Sequence, residues 1–290
     1  MYSLAEFFDR GYVPSRLDLS ESAAYQHRVC ITLLERWRGK PLALTDLSED
    51  LLRSFLSDYL RSGKSPSTVN AKRRHLLAVW QEAFEQELLS RPPRRKRVPR
   101  ARESRPIPQA FTLEQVAALF RVARNLPGES PVPGVSRASF VVAVFAVFYD
   151  TGARYSEVAR LAPSDVSTAD YTILFRKTKQ GRPRLAALHK ATVDALWRLR
   201  PNSTREHLFT WPYTRKTADA RFHEHLESAG IPHTGKLWHR WRVTSATLVE
   251  QHGGDGAKHI DDTRQVFERH YRDPRFLPGT LDCLPRPPVA

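Results

Sequence analysis

From Ser22 to about Leu89 apolar residues recur at helical spacing in three successive blocks, each with its own start or stop signal. In the first, Val29, Leu33 and Trp37 step by four with Cys30 and Leu34 beside them, and Gly39 follows as a stop. The second opens at Ser48 and then lines up Leu51, Leu52, Phe55, Leu56, Tyr59 and Leu60. Its first turn carries Glu49 and Asp50, where acids suit the positive end of a helix dipole. The third begins at Ser65-Pro66, a cap followed by a first-turn proline, and runs through Val69, Leu76, Leu77, Trp80, Phe84 and Leu88. The pattern predicts a wholly helical segment over residues 1–90.

The pattern resumes at Thr112-x-x-Gln115, a capping box, ahead of Val116, Leu119 and Phe120. Phe140 to Tyr149 is an unbroken apolar run, too short for the roughly 18–20 residues that span a bilayer, and predicts a buried helix. Tyr171–Arg176 and Arg184–Leu188 are rich in strand formers and predict a β-hairpin, with helix again at Ala191–Leu199, Trp238–Gln251 and around Tyr271. The fold class is mainly α with a small β-hairpin or sheet (α+β). Residues 109–275 form the second domain, and the Pro-rich tail, 276–290, reads as extended.

Residues 91–108 interrupt both patterns with five prolines and eight basic residues against the single acid Glu103, the composition of a stiffened linker. The whole chain carries 46 Lys+Arg against 31 Asp+Glu, a net charge of +15, which calls for a polyanionic partner. Lys72, Arg73 and Arg74 at the head of the third helix, and Arg94, Arg95, Lys96 and Arg97 in the linker, are candidate phosphate contacts to double-stranded DNA. No apolar stretch or signal pattern points to a membrane, so a cytoplasmic, nucleoid-associated protein is expected. Cys30 and Cys283 lie far apart without metal-ligand spacing, so neither a disulfide framework nor a zinc site is indicated, and no cofactor is expected.

Four pieces carry candidate chemistry. Thr151-Gly152-Ala153-Arg154-Tyr155-Ser156-Glu157 ends a buried helix on glycine and places Arg154 in the bend before the next. Lys179 sits at the hairpin tip, where a flexible ammonium can reach a substrate laid across the domain, with Lys177 as the alternative in a shifted register. His239-Arg240-Trp241-Arg242 puts His239 and Arg242 at i and i+3, on one helix face. Glu268-Arg269-His270-Tyr271-Arg272-Asp273-Pro274 sets a tyrosine among cations near the domain's end. Each is commonplace alone: a surface arginine, a solubilising lysine, a general DNA-contacting face, a packing tyrosine.

In this order, TGARYSE, the KTKQG hairpin, HRWR with its following Val-Thr-Ser-Ala-Thr, and RHYRDP resemble the signature of the tyrosine recombinases, the phage-integrase family. The likeness covers about residues 110–275 by motif. The helical segment 1–90 is similar in size and pattern to that family's SAM-like core-binding domain. The resemblance implies a helical DNA-binding domain and a catalytic domain that clamp DNA and assemble as a homotetramer at synapsis. It also implies strand cleavage and rejoining without metal or ATP. Tyr271 would form a 3′-phosphotyrosine, Arg154 and Arg242 would hold the non-bridging oxygens, Lys179 would protonate the leaving 5′-oxygen, and His239 would assist near the nucleophile.

One position departs from the family pattern. A second His or a Trp usually lies nine or ten residues before the tyrosine and donates to the phosphate, yet here those positions are Asp262 and Asp261. His259, twelve before Tyr271, is the nearest substitute, and a shifted Gly253–Asp262 loop would let it point in. The alternative function is a catalytically inactive, integrase-derived DNA-binding protein. A type IB topoisomerase shares the chemistry but is disfavoured by the core-binding-like segment, and an RNA-binding protein is disfavoured by the lack of an aromatic RNP-like strand.

Overall fold

A computed structural model of the chain describes residues 2–104, 107–178, 181–199, 206–210, 214–232 and 236–276. It divides into two compact units, Met1–Arg105 and Pro106–Ala290.

The first unit opens on a short helix, α1 (Leu4–Phe7), capped reciprocally by Ser3 and Glu6 and continued by a π turn at Phe8–Tyr12. It is too brief to leave a periodic signal, but it buries Leu4, Phe7, Phe8 and Tyr12. The three expected helices follow as α2 (Glu21–Arg38), α3 (Glu49–Arg61) and α4 (Pro66–Glu85). Ser20, Ser48 and Ser65 each accept from a first-turn amide, and Gly39 ends α2 in the left-handed conformation at φ 78°. Helices α2 and α3 pack on α4, and Cys30, Leu34, Leu52, Phe55, Leu76 and Trp80 meet in the core.

Residues 91–104 are not the free spacer that their composition suggests. They fold back along α4 with Val98 fully buried in the first unit's core. Trp80 Nε1 donates to the Arg91 carbonyl at 3.0 Å, and the Arg73 guanidinium donates to the carbonyls of Val98 and Arg95. The buried Asn70 amide pairs with both the carbonyl and the N–H of Ala101, each at 2.9 Å. This corrects two expected phosphate contacts. Arg73 lies with Asn70 and Trp80 on the side of α4 along which the segment runs and is committed to backbone carbonyls, whereas Lys72 is buried on the side of α4 that meets His27 and Cys30 of α2. Arg74, Arg94, Arg95, Lys96 and Arg97 are exposed.

The second unit is built around α6 (Arg137–Thr151), which extends the predicted apolar run by a few residues at each end. Helices α5 (Leu113–Arg124), α8 (Lys190–Trp197) and α10 (Leu237–Gln251) pack on it. Phe145, Phe148, Phe222, Trp238 and Trp241 form the aromatic centre of the core, with Phe148 and Trp238 ring centroids 5.0 Å apart. Between α6 and α8 lie the single turn α7 (Tyr155–Val158) and an antiparallel sheet of β1 (Val166–Ser167), β2 (Thr172–Phe175) and β3 (Arg184–Ala187). β2 and β3 are the predicted hairpin, in a register that pairs Phe175 with Arg184. Helix α9 (Arg215–Ser228) was not legible in the sequence, because its core face rests on Ala218, Phe222 and Leu226 among charged neighbours. The chain closes through α11 (Gly256–His259) and α12 (Arg264–His270).

Candidate active site

The expected cations reach one place from opposite ends of the second unit. Helix α6 ends on Gly152 at φ 56°, a conformation costly for a residue with a Cβ. A Cβ there would also stand 2.8 Å from Ile260 Cγ2 and 3.3 Å from Ser245 Cβ. This tight bend sets Arg154 as the N-cap of α7. There its own N–H donates to Glu157 Oε2 at 2.8 Å and its Nη1 donates to Glu157 Oε1 at 3.1 Å.

Arg242 comes from the middle of α10 and is 1% exposed. Its Nη1 donates to the Gly152 carbonyl and its Nη2 to the Ile260 carbonyl, both at 2.8 Å. The Gly152 bend therefore orients both arginines, one through its backbone course and one through its carbonyl. Asp262 joins them: its Oδ2 accepts from Arg154 Nη2 and from Arg242 Nη2, each at 3.0 Å.

Tyr271 follows the last residue of α12 and is buried, with the Arg242 guanidinium carbon 4.8 Å from its ring centroid. Its backbone is held by α10. Thr247 Oγ1 donates to the Tyr271 carbonyl at 2.9 Å and accepts from the Asp273 N–H at 3.1 Å. The His239 ring lies 5.0 Å from the Tyr271 ring, tilted by 44°. Burial first, then the charges of Lys236 and Arg242, push the His239 imidazole down to about 4, so it is neutral at pH 7 and able to accept a proton. One helix, α10, thus supplies His239 and Arg242 to the site and Thr247 to the backbone around Tyr271.

His259 does not take the place the sequence left open for it. Its Nε2 lies 2.7 Å from Ser245 Oγ, behind Arg242, and burial together with Arg184 and Arg242 pushes it down to about 4. The turn after α11 puts Asp261 at φ 51° and turns Asp262, not His259, towards the arginines. Lys179 lies outside the described residues. Lys177 is exposed at the end of β2.

Two contributors were missed by sequence reasoning. Glu157 was visible three residues after Arg154, and the capping-box spacing is the signal that could have found it. Arg184 read as an ordinary hairpin cation, but at 7% exposure its Nη1 bridges the Thr151 and His259 carbonyls at 3.0 Å each. Burial pushes its guanidinium down to about 10. Among the described residues no cluster of three or more His, Cys, Asp or Glu could hold a metal ion, and no helix is long and apolar enough to cross a membrane.

Comparison with known proteins bears on the architecture. The Tn1549 transposon integrase, solved in complex with circular intermediate DNA, superposes with a TM-score of 0.71 at 13% identity, covering 93% of this chain and 95% of that one. The lambda integrase tetramer bound to a Holliday junction gives 0.72 at 17% identity, covering 94% of this chain and 78% of that one. The fold is that of the integrases. A Sinorhizobium fredii (strain NBRC 101917 / NGR234) protein named as an integrase/recombinase is 30% identical over 105 residues. That match spans 36% of this chain and 32% of the length of its relative. No protein-family model matches the chain. On the integrase fold three of the four motifs named from the sequence meet among the described residues: Arg154 and Arg242 share Asp262, Tyr271 lies against Arg242, and His239 lies against Tyr271.

Proposed function

We propose that the protein is a tyrosine recombinase that cuts and rejoins double-stranded DNA through a covalent 3′-phosphotyrosine, without metal or ATP. The observation that carries this reading is the convergence of Arg154 and Arg242, from separate helices, on a single anionic oxygen, with the Tyr271 ring against Arg242. Two guanidiniums fixed in this way are suited to bind two non-bridging oxygens of a phosphodiester and to neutralise the charge that grows in its five-coordinate transition state. Tyr271 Oη would attack phosphorus as neutral His239 takes its proton. The P–O5′ bond breaks, and the departing 5′-oxygen takes a proton from Lys179. Religation is the reverse, so the bond energy is conserved in the phosphotyrosine. His259 would act only indirectly, through Ser245 on the Arg242 helix. Assembly as a homotetramer on two DNA sites belongs to the same reading.

The bridging carboxylate of Asp262 favours a second reading, an integrase-derived DNA-binding protein without cleavage, because an anion between the arginines opposes phosphate binding. Incubation with supercoiled DNA carrying the chain's genomic flanks, in EDTA without ATP, separates the two. The recombinase yields an SDS-resistant protein–DNA adduct that Tyr271→Phe abolishes. DNA binding with no adduct, even on a nicked substrate that traps cleavage, overturns the recombinase reading.

A further inference from the structure

We infer that in the DNA-free protein the carboxylate of Asp262 occupies the seat of the scissile phosphate, and that substrate must displace it. The inference rests on the recombinase reading for what the seat is for, but not for whether Asp262 fills it.

Three observations point the same way. First, the contact has the form an anion ligand would have. A single oxygen, Asp262 Oδ2, accepts from one Nη of each arginine at equal distances of 3.0 Å. Second, the carboxylate is not needed to hold either guanidinium in place. Arg154 is held independently by Glu157, and Arg242 by the carbonyls of Gly152 and Ile260. Third, both arginines already have carboxylate partners. Two guanidiniums face two carboxylates, Glu157 and Asp262, with side chains 2% and 9% exposed. The buried Arg184 nearby is committed to the Thr151 and His259 carbonyls, so a phosphodiester seated between Arg154 and Arg242 would meet Asp262 as a like charge at close range, whereas one that replaces Asp262 takes over its two donors.

The turn that carries Asp262 is held partly from outside. Asp261 sits in the left-handed region at φ 51°, and its Oδ1 accepts from Arg182 at 2.6 Å. Arg182 lies in the connection between β2 and β3, with 65% of its side chain exposed. A phosphate backbone that drew Arg182 away would remove this outer hold, leaving Asp262 positioned by the N–H bonds of Asp261 and Asp262 to the Lys258 and Ala257 carbonyls and freer to swing from the arginines. DNA contact at the hairpin is thereby coupled to vacating the seat, and the carboxylate guards the arginines against free anions until then.

The test is calorimetric titration of the full-length protein with inorganic phosphate. Asp262→Asn keeps the shape of the side chain and removes its charge. It should bind phosphate at least about tenfold more tightly than wild type, the scale of one charged partner removed at hydrogen-bond distance. The gain should vanish in Asp262→Asn/Arg154→Gln. Thermal melting of each variant accompanies the titration, and Asp262→Ser replaces the asparagine variant if that variant fails to fold. A folded Asp262 variant with wild-type phosphate affinity overturns the inference, and so does a gain that survives Arg154→Gln. Absence of a Tyr271-dependent DNA adduct would defeat the recombinase reading alone, because phosphate affinity is measured without cleavage.

Discussion

Arg154 and Arg242 are alike in the contact they make and unlike in burial, with side chains 23% and 1% exposed. Their substitutions should therefore separate chemistry from stability. Arg154→Gln and Arg242→Gln should each lower adduct formation by about 10²–10³-fold, the usual cost of removing a preorganised donor to a developing charge. Arg242→Gln should in addition destabilise the fold by about 3–5 kcal/mol, because it breaks a buried pair, leaves Asp262 with Arg154 alone and removes the donor to two buried carbonyls. Arg154→Gln should cost less, since water reaches its position. Urea denaturation beside an adduct assay distinguishes the two outcomes. Gly152→Ala forces a Cβ into a left-handed residue and against Ile260. It should cost at least about 1–3 kcal/mol and lower adduct formation in step, because the same bend orients both arginines.

At the scale of elements, α10 is the organiser, and its polar run Thr244–Thr247 reads differently once packed. Thr244 Oγ1 accepts the N–H of Phe111 at 2.8 Å, Ser245 meets His259, and Thr247 secures the Tyr271 carbonyl and the Asp273 N–H that follows it. Thr247→Val keeps the volume and removes both bonds. It should destabilise by about 1–3 kcal/mol, the penalty of stranding buried polar groups, and slow cleavage without weakening DNA binding. In the first unit, α2 and α4 bring His27 against His75, with ring centroids 4.3 Å apart and the planes tilted by 33°. Burial, then His27, Lys72 and Arg74, push His75 down to about 4 from an ordinary 6.5. Burial, then Arg16 and Lys72, also lowers His27. Both rings fold in the neutral form, so the unfolded chain binds protons at higher pH than the folded one. Stability from this pair is intact above about pH 6.5 and is lost as pH falls towards about 4. The protection factors of α2 and α4 amides, taken relative to intrinsic exchange at each pH, should fall over that window, and His75→Gln should flatten the dependence. An unchanged profile in the variant would assign the acid sensitivity elsewhere.

Over the whole molecule the net charge of +15 is a statement about partners, and the structure divides it into cations that can meet phosphate and cations that cannot. Arg94, Arg95, Lys96 and Arg97 are exposed, whereas Lys72 is buried. Replacing the four exposed residues by Gln should weaken DNA binding and make its log–log salt dependence shallower by about 3–4, near 0.9 for each phosphate no longer neutralised. Lys72→Met should leave that slope unchanged. Affinity measured between about 50 and 200 mM salt checks both expectations.

Periodicity and local chemistry were enough to place most of the helices, the starts at Ser48 and Ser65, the hairpin and the stop at Gly152, because these features depend on residues a few positions apart. They also picked out Arg154, His239, Arg242 and Tyr271 as candidates, since residue type and order survive in one dimension. The rest depended on contacts between distant segments. Whether a cation faces water or backbone depends on which chain lies over its helix face, so Lys72 and Arg73 looked free and Arg184 looked ordinary. A loop's course turns on single backbone angles, and the left-handed Asp261 sends Asp262 rather than His259 to the arginines. The sequence determined which charges the protein has. Only tertiary packing, which alone sets distances and excludes water, decided which of them meet.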